Sequence, residues 1–368
     1  MKNGVLILLT IVLSANAYAD DSDVAIFNTA WRDYSAAAAS DDVGLRVETA
    51  ERVVDVGKRV FNESDEQLTI ITHNYGVAVS DSGSREDAVP ILKEALRLGE
   101  IVYGKDGVGL ISILADLADA EADVFSPGAQ IRYYRRALKI VEEHFGKQGF
   151  QYADLAFRAA RNVYTMSHSL QVDHYMREAR DIYASLPEPA TQNVGMAKFY
   201  LGKMEFTDRD FRHSSEHLES ALSDFESPGD ANQAMRLLTR ALLVQVYEHR
   251  GLTDQATQHC VAIGRESQLS PDQDYAPLFR VPPMYPVSML RAGKSGQVDL
   301  AFTVDENGFV QDPYVIARRI NGKERSRSSD FDEAALDAVE RFRYAPRFVD
   351  GEAVATAGVK TRISFALE

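Results

Sequence analysis

A step of forty-two residues recurs through the N-terminal part of this 368-residue chain and constrains its fold more than any other feature. Residues 94–105 read EALRLGEIVYGK, and residues 136–147 read RALKIVEEHFGK. Ala95, Ala137, Ala179 and Ala221 occupy one column of that step. Three residues on, Leu98, Ile140 and Ile182 form an apolar column, joined upstream by Val56. Phe61, Tyr103 and Phe145 align eight residues after the first column, and Gly76, Ala118, Ala160 and Gly202 form a second small-residue column. Each unit holds two amphipathic segments, divided by breaks such as Gly104-Lys105-Asp106-Gly107, Gly146-Lys147-Gln148-Gly149 and Pro187-Glu188-Pro189. Small residues let paired helices approach, and large apolar ones fill the space between them. The spacing predicts roughly five helical pairs between residues 45 and 268, preceded by a helix near Val24–Ala39.

This pattern resembles tetratricopeptide (TPR) repeats, in the 42-residue form of kinesin light chains rather than the 34-residue form. The resemblance implies an all-α solenoid whose units bury their cores only against neighbours and offer a surface to a partner. A second reading stays open, in which the stack spaces and solubilises the C-terminal part of the chain.

The first nineteen residues stand outside that pattern. Lys2 precedes an apolar run from Gly4 to Leu13, and Ala17-Tyr18-Ala19 places small residues before Asp20. This is the pattern of a secretory signal peptide cleaved between Ala19 and Asp20. It predicts a periplasmic protein, the alternative being an inner-membrane anchor formed by residues 4–19. Cys260 is the single cysteine, so no internal disulfide forms, and its helix-like surroundings predict a small buried hydrophobe. The net charge of −15 is uneven: residues 275–368 balance at zero, whereas residues 20–274 carry −16. An acidic body of this kind repels nucleic acid and anionic lipid.

After Gln268 the character changes. Pro271, Pro277, Pro282, Pro283 and Pro286 exclude a continuous helix. Beyond a short helical turn over Val287–Ala292, residues Val298, Leu300, Phe302 and Val304 alternate with Gln297, Asp299, Ala301 and Thr303, as in a strand with one buried face. Asp305-Glu306-Asn307-Gly308 reads as a hairpin turn, with Val310–Ala317 as the return strand and Pro313 as an unpaired or bulged position. ARRINGKERSRSSD then reads as a long basic loop. Phe331, Ala335, Ala338, Val339 and Phe342 mark an amphipathic helix over 330–342, Asp350-Gly351 a turn, and Val359, Thr361, Ile363, Phe365 and Leu367 a third strand.

Tyr285-Pro286, Gly296-Gln297-Val298, Asn307-Gly308, Phe331-Asp332 and the run Arg341-Phe342-Arg343-Tyr344-Ala345-Pro346 resemble the C-terminal domain of TonB, in the order strand–strand–helix–strand. The reading is therefore multidomain: a leader at 1–19, an all-α TPR-like solenoid at 20–268, a Pro-rich linker at 269–283 and a small α+β TonB-like domain at 284–368. The resemblance implies a non-enzymatic protein that binds partner proteins by β-strand addition, in TonB-dependent outer-membrane transport and energy transduction. The implied partners are N-terminal peptides of TonB-dependent receptors, with a motor complex or another transducer as further candidates. The implied contact residues are Pro282, Pro283, Tyr285 and Pro286 on one lip and Val359, Thr361, Ile363 and Phe365 on the edge strand. The alternative is a TPR scaffold of an envelope complex whose TonB-like module self-associates as a homodimer. Two departures from the family bear on this: Phe342 stands where Trp is usual, and Pro282 where a Gln is common. The membrane helix and Pro-rich spacer of TonB proper have no counterpart, so a chain with its leader removed is not expected to transmit force by itself.

His213-Ser214-Ser215-Glu216-His217 matches H-x-x-E-H, which can put two imidazoles and a base on one helix face. The repeat places it on a solvated helix face, so no catalysis or metal is expected. No phosphate loop, nucleophile elbow or C-x-x-C occurs, and neither cofactor nor nucleic acid is expected.

Overall fold

A computed structural model describes residues 20–122, 127–164, 170–188, 190–226, 232–267 and 275–367. The expected leader and its cleavage residue Ala19 lie outside the described residues, as does the start of the expected linker, residues 269–274. The chain forms two compact units, one up to Ala190 and one from Thr191.

The first unit holds α1 (Asp21–Ala38), α2 (Val43–Val60), α3 (Glu66–Asp81), α4 (Arg85–Tyr103), α5 (Leu110–Ala120), α6 (Pro127–Phe145), α7 (Phe150–Tyr164) and α8 (Leu170–Ser185), which pack as consecutive pairs. α1 and α2 make a pair of their own around Phe27, Ala30 and Val53, where the sequence had suggested a lone leading helix. Asp20 and Asp42 cap these two helices by accepting from the backbone N–H groups of Ser22 and Leu45, which satisfies donors that have no intrahelical partner.

The columns of the repeat are packing columns. Ala95, Ala137 and Ala179 are buried, as are Leu98, Ile140 and Ile182. Gly76 on α3 faces Leu92 on α4 so closely that a Cβ there would lie 2.6 Å from Leu92 Cδ2. Leu92, Tyr134, Met176 and Leu218 continue that position at the same forty-two-residue step, and all are buried. The aromatic column ends differently. Phe61 packs edge-on against Phe27 at 4.9 Å, but Phe145, at the end of α6, is half exposed.

The second unit opens with α9 (Thr191–Thr207), α10 (Phe211–Phe225), α11 (Gln233–His249) and α12 (Thr253–Ser267). Here Gly202 meets Leu218, with a Cβ placed 2.6 Å from Leu218 Cγ. After these helices come α13 (Val287–Arg291), β1 (Gly296–Val304), β2 (Val310–Ile320), β3 (Lys323–Glu324), α14 (Asp330–Val339), β4 (Arg347–Val349), β5 (Glu352–Val354) and β6 (Thr356–Phe365). Four strands form one antiparallel sheet in the order β3-β2-β1-β6, and β4 and β5 form a separate hairpin. α14 packs on the sheet through Phe331, Ala335, Ala338 and Val339, against Val298, Leu300, Phe302 and Val304 of β1. The period-two alternation of β1 thus faces an apolar helix stripe, and the architecture is a helical-repeat region followed by a small α+β domain.

The register of β2 slips by one residue twice, once next to Pro313, where Asp312 has φ +48°. The imino ring thus sits where the ladder is already broken. The expected basic loop is corrected in its first half. β2 runs on to Ile320, and Asn321-Gly322 turns the chain into β3, as an Asn-Gly pair does where a tight hairpin needs positive φ. Arg318 and Arg319 are therefore strand residues, paired with Asp332 at 2.7 Å and Asp299 at 3.5 Å.

Candidate functional site

β6 is the end strand of the sheet. It pairs with β1 from Gly296 opposite Phe365 to Val304 opposite Thr356, and among the described residues its other edge has no strand partner. Such an edge exposes a row of N–H and C=O groups to any extended chain. Gly358, with φ +74°, carries one extra residue against β1 and bends the strand near its start.

The side chains of Val359, Ile363 and Phe365 are buried in the core, and Thr361 is partly buried. Of the expected edge residues, then, these present backbone rather than side chain. Lys360, Arg362 and Ser364 point to the solvated face. Arg362 donates to both oxygens of Asp299, at 2.5 and 3.1 Å. That hydrogen bonding holds the Asp299 carboxyl below its ordinary range against the opposing effect of burial.

The second lip is the segment before α13. The Tyr285 ring sits edge-on to Phe331 and Phe365, each at 5.7 Å, and its hydroxyl donates to the Lys294 carbonyl at 2.5 Å. Ring and hydroxyl are both engaged within the domain, and the ring holds the 282–286 segment against the C-terminal end of β6. Pro282 is exposed, with Pro283 and Pro286 partly so. The sequence reading missed three residues beside them. Met284, Val287 and Leu290 are 84%, 60% and 54% exposed. Their spacing of three, with no apolar stripe to meet it in the neighbouring sequence, was the available signal.

Arg343 has a second role that no spacing announced. It is 2% exposed, and its guanidinium bonds to the Glu248 carboxylate on α11, Thr257 Oγ1 on α12 at 2.7 Å and the Asn307 carbonyl at 3.2 Å. It also lies 3.8 Å over the Phe309 ring. Around it the hairpin tip is drawn in: Tyr344 N–H donates to the Gly308 carbonyl at 2.9 Å, and a Cβ on Gly308 would fall 2.0 Å from the Tyr344 carbonyl oxygen. Gly308 has φ +83°, as the hairpin turn requires. On α12, a Cβ on Gly264 would fall 2.1 Å from the Pro346 carbonyl oxygen. The sheet domain is thus seated on α11 and α12. Cys260 is buried in the same region, and burial pushes its thiol up to about 12. At neutral pH the sulfur is a thiol rather than the thiolate that reacts.

The two imidazoles of the H-x-x-E-H segment answer to different carboxylates. His213 Nδ1 bonds Asp210 at 2.6 Å and His217 Nδ1 bonds Glu205 at 2.8 Å, while Glu216 pairs with Arg212 at 2.9 Å. Among the described residues no group of three or more His, Cys, Asp or Glu is placed to hold a metal ion. No described helix is long and apolar enough to cross a membrane.

Residues 281–367 match the family described as Gram-negative bacterial TonB protein C-terminal. The chain therefore carries a TonB-type C-terminal domain behind TPR-like helical repeats. A stretch of 165 residues, 45% of this chain, is 23% identical to the Clustered mitochondria protein homologs of Aspergillus clavatus and Coccidioides immitis. The match spans only 13% of the length of each. Among solved structures, BtubC (BKLC) from P. vanneervenii is 18% identical at a TM-score of 0.47, covering 72% of this chain and 100% of its own. A variant of a Podosopora anserina putative kinesin light chain with nearly identical TPR-like repeats is 13% identical at a TM-score of 0.46, covering 55% of this chain and 93% of its own.

Proposed function

We propose that this is a non-enzymatic periplasmic protein that takes up an extended peptide by strand addition along β6, in the service of TonB-dependent transport at the outer membrane. The observation that carries the reading is the place of β6 at the end of the sheet, with β1 as its strand neighbour. Main-chain hydrogen bonds to the open edge would hold the guest, and side-chain recognition would fall to the exposed lip of Met284, Val287 and Leu290. The preferred guest is the N-terminal peptide of a TonB-dependent receptor. The family match at 281–367 supports a bacterial envelope setting. Export through a leader ending at Ala19 is part of the proposal, and the mass of the mature N-terminus decides it: Asp20 as first residue supports export, and a retained Met1 supports an anchor at residues 4–19.

Hydrogen exchange on the full chain, with and without millimolar receptor N-terminal peptide, tests the edge. Slowed exchange within 356–365 is expected. Unchanged exchange there at saturating peptide removes the proposal. The full chain is the right sample, because an isolated C-terminal fragment would strip Arg343 of Glu248 and Thr257.

The seating of the sheet domain on α11 and α12 favours a second reading. In it the repeats scaffold an envelope complex and β6 pairs with β6 of another copy. Sedimentation of the purified chain separates the two, since only this reading requires a dimer without peptide.

A further inference from the structure

We propose that the exposed face of α6 is a docking site for an acidic, extended segment of a partner protein. Residues 20–274 carry a net charge of −16, yet Arg132, Arg135, Arg136 and Lys139 follow one another at i, i+3, i+4 and i+7 on this helix. That spacing places all four on one face. Two of them are committed within the chain. Arg136 pairs with Glu100 at 2.6 Å and donates to the Lys105 carbonyl, and Lys139 lies 3.3 Å from Glu143. Arg132 and Arg135 have no carboxylate partner among the described residues, although the body around them is rich in carboxylates. The neighbour of the Arg132 guanidinium is the Tyr133 ring, at 5.5 Å.

The stripe borders a cavity of about 570 Å³, walled also by Tyr152 of α7 and Tyr175 of α8. The Tyr175 hydroxyl accepts from the Gln171 side-chain amide at 2.9 Å, which leaves its own proton to donate. Asp106 and Glu142 also line the cavity, so its cations outnumber its anions by four to two.

The geometry suits an extended chain. Arg132 and Arg136, and likewise Arg135 and Lys139, are separated by about 6 Å along a helix that rises about 1.5 Å per residue. Alternate side chains of a β-strand are about 6.6 Å apart. A guest strand laid across the stripe with acidic side chains on one face would bring carboxylates to the uncommitted guanidinium forks of Arg132 and Arg135, and guanidinium–carboxylate pairs are often bidentate. The intervening side chains of the guest would face the tyrosine wall. The acidic body supplies selectivity, because a polyanion without this local fit is repelled over most of the surface. The proposal does not rest on the β6 edge.

Fluorescence anisotropy of a labelled (Glu-Thr)5 peptide against the full chain tests the proposal. Saturable binding is expected, weakened at least tenfold in Arg132→Ala/Arg135→Ala and partly restored in Arg132→Lys/Arg135→Lys, with unchanged circular dichroism. A (Lys-Thr)5 peptide is expected not to bind. Equal binding by the alanine variant, or absence of saturation by (Glu-Thr)5, overturns the site. So does competition by inorganic polyphosphate as tight as that by the unlabelled peptide, since it would assign the patch to polyanions at large.

Discussion

The Arg343 guanidinium is buried against the carboxylate of Glu248, ninety-five residues earlier in the chain. One residue of a C-terminal-domain motif thereby joins the sheet to the last helical pair. Removing one partner of a buried ion pair leaves the other charge uncompensated, at a cost of about 3–5 kcal/mol. Glu248→Ala is therefore expected to lower the melting temperature clearly. Glu248→Leu combined with Arg343→Met is expected to recover much of the loss. If the double variant melts no higher than the single, the pair is not what seats the domain.

Gly308 and Gly264 are expected to resist even alanine. Each would push a Cβ to within 2.0 and 2.1 Å of a backbone carbonyl oxygen, of Tyr344 and Pro346 respectively. Backbone cannot yield as a flexible side chain can. Faster hydrogen exchange across 343–349 in Gly264→Ala would report the loosened seat, and exchange identical to the parent would refute it.

Leu92 and Leu218 fill the space opposite the helical glycines Gly76 and Gly202. Deleting a buried leucine side chain costs about 2–5 kcal/mol, as lost transfer energy plus a residual cavity. Leu92→Ala and Leu218→Ala should each fall in that range by urea denaturation. Each should act on its own compact unit, so partial unfolding followed by region-resolved hydrogen exchange would locate the damage.

Asp116 gives the first unit an acid dependence. Burial alone would raise its carboxyl, but a 2.7 Å bond from His73 and the adjacent Arg158 outweigh it and hold the group below its usual 3.8. A carboxylate with a lowered folded pKa contributes stability above the unfolded value, and that contribution is lost as the pH falls through the folded one. Stability is thus expected to drop below about pH 3.8, and Asp116→Asn should show a shallower drop in denaturation measured between neutral and acid pH. Parallel pH curves for the two proteins would count against the assignment.

The lip offers a test without a folding penalty. Met284 and Leu290 are largely exposed, so serine at both should shift stability by no more than about 0.5 kcal/mol at each. Receptor-peptide affinity is expected to fall several-fold. Backbone recognition can be separated from this by Lys360→Pro and Thr361→Pro. Successive strand residues direct their N–H groups to opposite sides, so one proline spares the β1 ladder and removes only an edge donor. That variant should fold and fail to bind.

Much of this architecture was legible from the chain alone, and the reasons differ by element. The forty-two-residue columns were readable because every unit solves the same packing problem with the same residue sizes, so Ala95, Ala137, Ala179 and Ala221 repeat. β1 was readable because one face is buried by a helix and the other is solvated. The hairpin tip was readable because Gly308 meets a local demand for positive φ. Residues 318–324 were misread as loop, because hydropathy does not reveal a ladder in which Arg319 pairs with Asp299 of the neighbouring strand and Arg318 with Asp332 of α14. Tyr285 was expected as a contact residue of one lip; its ring packs on Phe331 and Phe365, a fact no local pattern contains.

From sequence alone came the repeat, its period, the change of fold class after residue 268 and the kinship of the last domain, because each is written in local spacing. Tertiary structure alone decided that Arg343 reaches Glu248, that the side chains of Val359, Ile363 and Phe365 turn into the core, and that Met284, Val287 and Leu290 stay uncovered. Those outcomes depend on residues far apart in the chain meeting in space. Burial and long-range pairing belong to the folded whole, and no window of sequence contains both partners.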